Sequence, residues 1–202
     1  MKHASHVAEC PICRQNDPDD GGWPIDVIYE DELWLVHHCY NAQQLPDADG
    51  TAHPETMVGG PAPLPGWLLF HSQRHVHGPA DFTDEECASF TFAIRHVENK
   101  LLEATGALRI YTSLIGETGP HLHAHLIPRY SDERLTEMGV DLSLGSAMGV
   151  FDLNRGVGGR TVPAADPVAV ERVSAALKEK LAADPIPSVA AMVDKLKDVA
   201  KL

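Results

Sequence analysis

In His121-Leu122-His123-Ala124-His125-Leu126-Ile127-Pro128-Arg129, imidazole and small or apolar side chains alternate strictly. Successive side chains of a β-strand point to opposite faces. An extended conformation therefore puts His121, His123 and His125 on one face, roughly 7 Å apart, and Leu122, Ala124 and Leu126 on the other. The apolar row can pack into a core. Packing asks for no imidazole row, and this makes the three histidines the candidate site. Near its reference pKa of about 6.5 imidazole is neutral and nucleophilic. One ring nitrogen can donate to a fixed acceptor while the other aims a lone pair at a substrate. A phosphorus centre bearing oxyanions also needs donors around it. The neighbouring histidines and the hydroxyls of Ser113 and Thr118 are candidates.

Ala107–Ile115 reads as a strand before the histidine strand, with the turn Gly116-Glu-Thr-Gly119 between them. Upstream lies the clearest helix, Thr83–Thr105. Thr83 and Glu86 form a capping box, Cys87, Phe90, Ile94, Val97 and Leu101 recur at helical spacing, and Gly106 supplies the stop. Trp67–His71 reads as a buried strand. Ile25–Tyr29 and Leu33–His37, separated by an acidic turn, read as a hairpin. Residues 41–65 are rich in Pro, Gly and Asp and read as a long surface loop, a plausible lid. Residues 131–163 are Gly-rich and weakly patterned. Two helices follow, one capped by Asp166 with Pro167 at its first position, the other capped by Ser188. They read as an amphipathic pair docked on the core or on a partner chain. Strands on either side of one long helix indicate an α+β fold with an antiparallel sheet and a C-terminal helical extension. The expected division is 1–130 for the main domain and 131–202 for the extension.

With 16 Lys+Arg against 29 Asp+Glu the chain carries a formal charge of −13. A nucleic-acid polyanion would be repelled, and no basic cluster offsets this. No apolar run resembles a signal peptide or approaches the roughly 20 residues of a membrane span, so a cytoplasmic protein is expected, without nucleic acid or membrane as partner. Cys39 and Cys87 are isolated and read as buried apolar residues. Cys10 and Cys13 form a Cys-x-x-Cys pair. Taken alone it fits a redox pair, two buried thiols, or half of a zinc site that needs two further ligands.

The histidine run resembles the hallmark of the histidine-triad (HIT) family, His-φ-His-φ-His-φ-φ with φ apolar, Ala124 being the one small residue. Tyr29-Glu-Asp-Glu-Leu33, Leu64-Pro-Gly-Trp-Leu-Leu-Phe-His-Ser-Gln-Arg-His75 and Phe82-Thr-Asp-Glu85 are similar to family segments and arrive in family order, so the resemblance spans residues 10–130. Residues 41–65 stand as an insertion. The turn before His121, Gly-Glu-Thr-Gly-Pro-His, looks closer to the bacterial hydrolase branch. The resemblance implies that His123 is a nucleophile forming a nucleotidyl-histidine, that His125 contacts the phosphate, and that Thr118 assists the phosphate or the leaving group. It implies a structural zinc held by Cys10, Cys13, His75 and His121, with His77 as the rival of His75. It also implies a homodimer and a nucleotide substrate. The expected reaction is hydrolysis at the α-phosphorus of a dinucleoside polyphosphate, phosphoramidate or acyl-nucleotide. A nucleotidyltransferase or phosphorylase and a nucleotide-binding interaction module with little catalysis are the alternatives.

Overall fold

The computed structural model describes residues 6–16, 26–39, 64–114, 120–140 and 165–199. Within them five strands form one antiparallel sheet in the order β1-β2-β3-β5-β4: β1 Val27–Glu30, β2 Trp34–His38, β3 Leu68–Ser72, β4 Arg109–Ser113 and β5 His123–Arg129. The expected hairpin is β1–β2. Asp31 closes it, its carboxylate accepting from the amides of Leu33 (2.8 Å) and Trp34 (2.7 Å) and from the Tyr29 hydroxyl (2.8 Å). A short polar side chain that bonds nearby backbone is what a tight turn selects.

Two of the expected features shift. The histidine strand begins at His123 rather than His121. Leu122 donates to the Val76 carbonyl (2.6 Å) and its own carbonyl accepts from Ser72, so the chain here crosses to the β3 end before joining the ladder. Ser131 also caps a short helix, α3 (Asp132–Glu137), inside a stretch whose sequence is weakly patterned. A further short helix, α1 (Pro11–Gln15), starts at Cys10.

One face of the sheet carries Trp34, Val36, Leu68, Phe70, Ala124 and Leu126, which pack in a single core with Ala93, Val97 and Leu101. Those last three belong to helix α2, Asp84–Thr105. Its capping box is complete and Gly106 ends it with φ +64, a backbone conformation open to glycine at little cost. The buried stripe is rotated from the one the apolar residues suggest. Glu86, Ser89, Ala93, Val97 and Leu101 face inward, and Cys87, expected to be buried, is exposed. The cause is polar pairing. Ser89 accepts from the Trp34 indole (3.0 Å), and Glu86 takes a two-pronged bond from Arg74 (3.0 and 2.6 Å) while accepting from the Thr83 amide. Fully paired polar groups can be buried without the penalty of unpaired ones.

The C-terminal helices α4 (Pro167–Ala183) and α5 (Val189–Val199) dock on this core. Val173, Leu177 and Leu181 of α4 and Met192 of α5 lie in the same cluster as the sheet residues. The turn before β3 is held tightly. Gly66 has φ +81, and a Cβ there would come within 2.9 Å of the Thr105 methyl and 3.0 Å of Leu101. No described helix is long and apolar enough to cross a membrane.

Candidate active site and metal centre

Strand register assembles the opposite face. Leu35, His71 and His123 form one row across β2, β3 and β5. His37, Leu69, His125 and Ser113 form the next. The rings of His123 and His125 stand 5.3 Å apart, and His37 lies 5.1 Å from His71. His38 sits on the core face instead, in the row of Leu68 and Leu126. Of the insertion at 41–65 only Leu64 and Pro65 fall within the described residues, and Thr118 lies outside them.

The hydrogen bonds of the two half-buried histidines assign opposite protonation patterns. The Nδ1 of His123 is 2.8 Å from the carbonyl of His121. A carbonyl only accepts, so Nδ1 carries the proton and Nε2 keeps a lone pair. The Nδ1 of His125 is 3.2 Å from the indole Nε1 of Trp67. An indole N–H only donates, so this Nδ1 is the acceptor and the neutral ring carries its proton on Nε2. One strand face thus presents a basic nitrogen and, two residues on, an N–H donor. Sequence reasoning missed Trp67. It reads as one more aromatic residue of a buried strand, and only its placement beside His125 gives it a polar role.

The first histidine of the row faces elsewhere. Cys10, Cys13, His75 and His121 bring one ligand atom each to within 4.8 Å of one another. Sulfur–nitrogen distances are 3.5 Å (Cys10 to His121), 3.4 Å (Cys13 to His121) and 3.3 Å (Cys13 to His75). Zinc bonds of about 2.3 Å to sulfur and 2.0–2.1 Å to nitrogen in a tetrahedron separate sulfur from nitrogen by about 3.6 Å. The donor set and its spacing therefore fit zinc. His77, the rival of His75, is exposed, and among the described residues the cluster forms without it. Burial pushes the Cys13 thiol up to about 11, with the neighbouring Cys10 adding to the rise and a Val7 backbone bond opposing it. A bound cation would favour the thiolate over the thiol. The Nε2 of His121 donates to the Ser72 carbonyl (2.8 Å), which also accepts from Asn16 (3.2 Å). This bond fixes the His121 tautomer with Nδ1 toward the sulfurs, the arrangement expected around a ligating imidazole. Burial holds His121 down to about 4, partly offset by the Ser72 bond, so the ring is neutral and able to ligate at ordinary pH.

The remaining histidines divide. His6 is half-buried. His96 is satisfied by the Asp184 carbonyl at 2.7 Å. His37 and His38 are buried, and that burial lowers each to about 4. His71 is driven well below its usual value for the same reason. The unfolded chain accepts protons near pH 6.5 that these folded imidazoles refuse. Their contribution to stability is therefore complete above pH 6.5 and falls as pH drops toward 4. At pH 5, His37 and His38 alone cost about 2 kcal/mol each. Tm is expected to fall by about 10 °C between pH 7 and pH 5 in a thermal melt, and a flat Tm over that range would show that these rings titrate freely.

No family model and no curated protein matches the chain. Solved structures do match. A zinc-bound histidine triad family protein from Mycobacterium smegmatis is 18% identical, with 87% of this chain and 97% of that chain covered at a TM-score of 0.51. A hypothetical histidine triad nucleotide-binding protein from Sulfolobus tokodaii is 14% identical, with 86% and 93% covered at 0.52. A HIT-like protein involved in cell-cycle regulation from Bartonella henselae is 14% identical, with 86% and 97% covered at 0.50. The chain has the histidine-triad fold: a five-stranded antiparallel sheet with helices in a mixed α+β arrangement.

Proposed function

We propose that the chain is a nucleotide hydrolase that cleaves at the α-phosphorus of a nucleoside phosphate conjugate, a dinucleoside polyphosphate or a phosphoramidate, through a nucleotidyl-histidine on His123. The observation that carries the reading is the bond from His123 Nδ1 to the His121 carbonyl, which leaves the Nε2 lone pair for phosphorus. His123 Nε2 forms the N–P bond as the bond from phosphorus to the leaving group breaks, and the leaving group departs with that electron pair and takes a proton from solvent water. Water then breaks the N–P bond and releases a nucleoside monophosphate. His125 Nε2–H donates to a phosphoryl oxygen, where added negative charge is best met by fixed donors. In this reading Thr118 assists the same oxygens or the leaving group.

Cys10, Cys13, His75 and His121 would hold zinc through four protein ligands, which would leave no open position for substrate, so its role would be structural. The four ligands tie the N-terminal segment to the start of the catalytic strand. A homodimer fits the outer position of β4, an edge strand flanked by the exposed Leu108 and Leu114, because an unpaired edge is a template for a second chain.

The test is a panel of diadenosine polyphosphates and adenosine phosphoramidates incubated with purified protein, scored for nucleoside monophosphate. Catalytic release from at least one class, surviving repeated purification, is the expected result. Binding of nucleotides without turnover across the panel would overturn the hydrolase reading in favour of a binding module.

A further inference from the structure

Trp67 is 1% exposed and lies among Leu64, Ile127, Tyr130 and Leu135, a small apolar cluster at the active-site end of β3. A tryptophan of this kind contributes chiefly apolar area, and its indole N–H normally finds a partner when buried. Here the partner is the Nδ1 of His125 at 3.2 Å, and the rings meet edge to face at 6.0 Å and 78°. Trp67 stands immediately before β3, one row from His125, since Leu69 pairs with His125 and Trp67 precedes Leu69 by two.

The consequence follows from donor chemistry. Imidazole exchanges its proton between two nitrogens, and His125 can serve as a donor through Nε2 only while Nδ1 is bare. An indole can only donate. With the indole fixed by its apolar neighbours and itself buried, the tautomer carrying a proton on Nδ1 would set two N–H groups head to head and leave the indole donor without an acceptor, which is expensive for a buried group. His123, on the same strand face, is held in the opposite state because its Nδ1 meets an acceptor, the His121 carbonyl.

We propose that Trp67 is a positioning residue that locks His125 in the Nε2–H tautomer, so that the ring opposes a hydrogen-bond donor to the substrate phosphate beside the nucleophilic His123. The donor role rests on the hydrolase reading. The tautomer lock does not.

The experiment separates the two. In protein labelled with 15N at histidine, long-range proton–nitrogen spectra assign each imidazole nitrogen as protonated or bare. His125 should show a bare, hydrogen-bonded Nδ1 and a protonated Nε2, and His123 the reverse. Trp67→Phe keeps a ring but removes the donor, and the His125 pattern should move toward a mixture while that of His123 stays. A benzothienyl analogue of tryptophan placed at this one position keeps the bicyclic shape without the N–H, and serves if the Phe variant is poorly folded. On a substrate that the wild type turns over, both replacements should lower kcat about tenfold with KM changed less than about threefold, the size of one lost hydrogen bond to a charged group. A protonated Nδ1 on His125 in the wild type, or an unchanged His125 spectrum in both replacements, overturns the lock and leaves the hydrolase reading standing. A tautomer shift in a protein that turns over nothing supports the lock and removes the catalytic setting. An unchanged kcat beside a shifted tautomer overturns the donor role.

Discussion

If His123 is the nucleophile we propose, His123→Asn should give a folded chain whose turnover of nucleotide conjugates is lower than wild type by roughly a thousandfold or more. The side chain is half-buried and packs in none of the apolar clusters, so the loss is chemical rather than structural. Asparagine can still meet the His121 carbonyl with its amide, but it offers phosphorus no basic nitrogen. The companion result is a trapped intermediate. A bond from imidazole nitrogen to phosphorus is labile in acid and lasts longer in base, so rapid mixing with substrate and an alkaline quench should yield a chain heavier by one nucleoside monophosphate. The label should map to the peptide holding His123 and His125. His125→Asn should still label, although slowly, and His123→Asn should not. Turnover within threefold of wild type in His123→Asn removes the nucleophile assignment. Fast turnover with no adduct under any quench points to direct attack by water.

The second large effect concerns the metal cluster. Purified protein should carry about one zinc per chain by elemental analysis, and Cys10→Ser should leave less than about a tenth of that. Zinc that binds only the folded chain stabilises it directly. The site joins segments far apart in sequence, since Cys10 and His121 are separated by 111 positions. Its loss should lower Tm by about 10 °C or more, the shift expected from a few kcal/mol in a chain of this size. Native protein that contains no metal and whose Cys10 and Cys13 are freely alkylated overturns the site.

Much of this was legible in the sequence, and for identifiable reasons. The hairpin, the capped ends of α2 and the alternation in β5 are local signals, each set within a few residues. The cluster of Cys10, Cys13, His75 and His121 was legible only through the family resemblance, because nothing in the spacing of residues 75 and 121 announces that they meet. What escaped was set by tertiary pairing. The inward turn of Glu86 depends on Arg74, and it carries Cys87 outward against its apolar character. The offset of His121 from the strand depends on Val76 and Ser72. The polar duty of Trp67 depends on a strand that lies 58 residues away along the chain.

Three polar atoms of His121 are engaged at once. Nδ1 faces the two sulfurs, Nε2 holds the Ser72 carbonyl, and the main-chain oxygen holds His123. The backbone duty could pass to any residue, but the two ring duties could not. Cysteine or aspartate can ligate a metal and has no donor left for Ser72. Asparagine and glutamine can reach Ser72 and make poor zinc ligands. Both ring nitrogens at position 121 are therefore committed. Of the twenty residue types only histidine satisfies both side-chain demands, so variation among chains that keep this centre should avoid position 121 while passing more freely through Leu122 and Ala124, whose one demand is to fit.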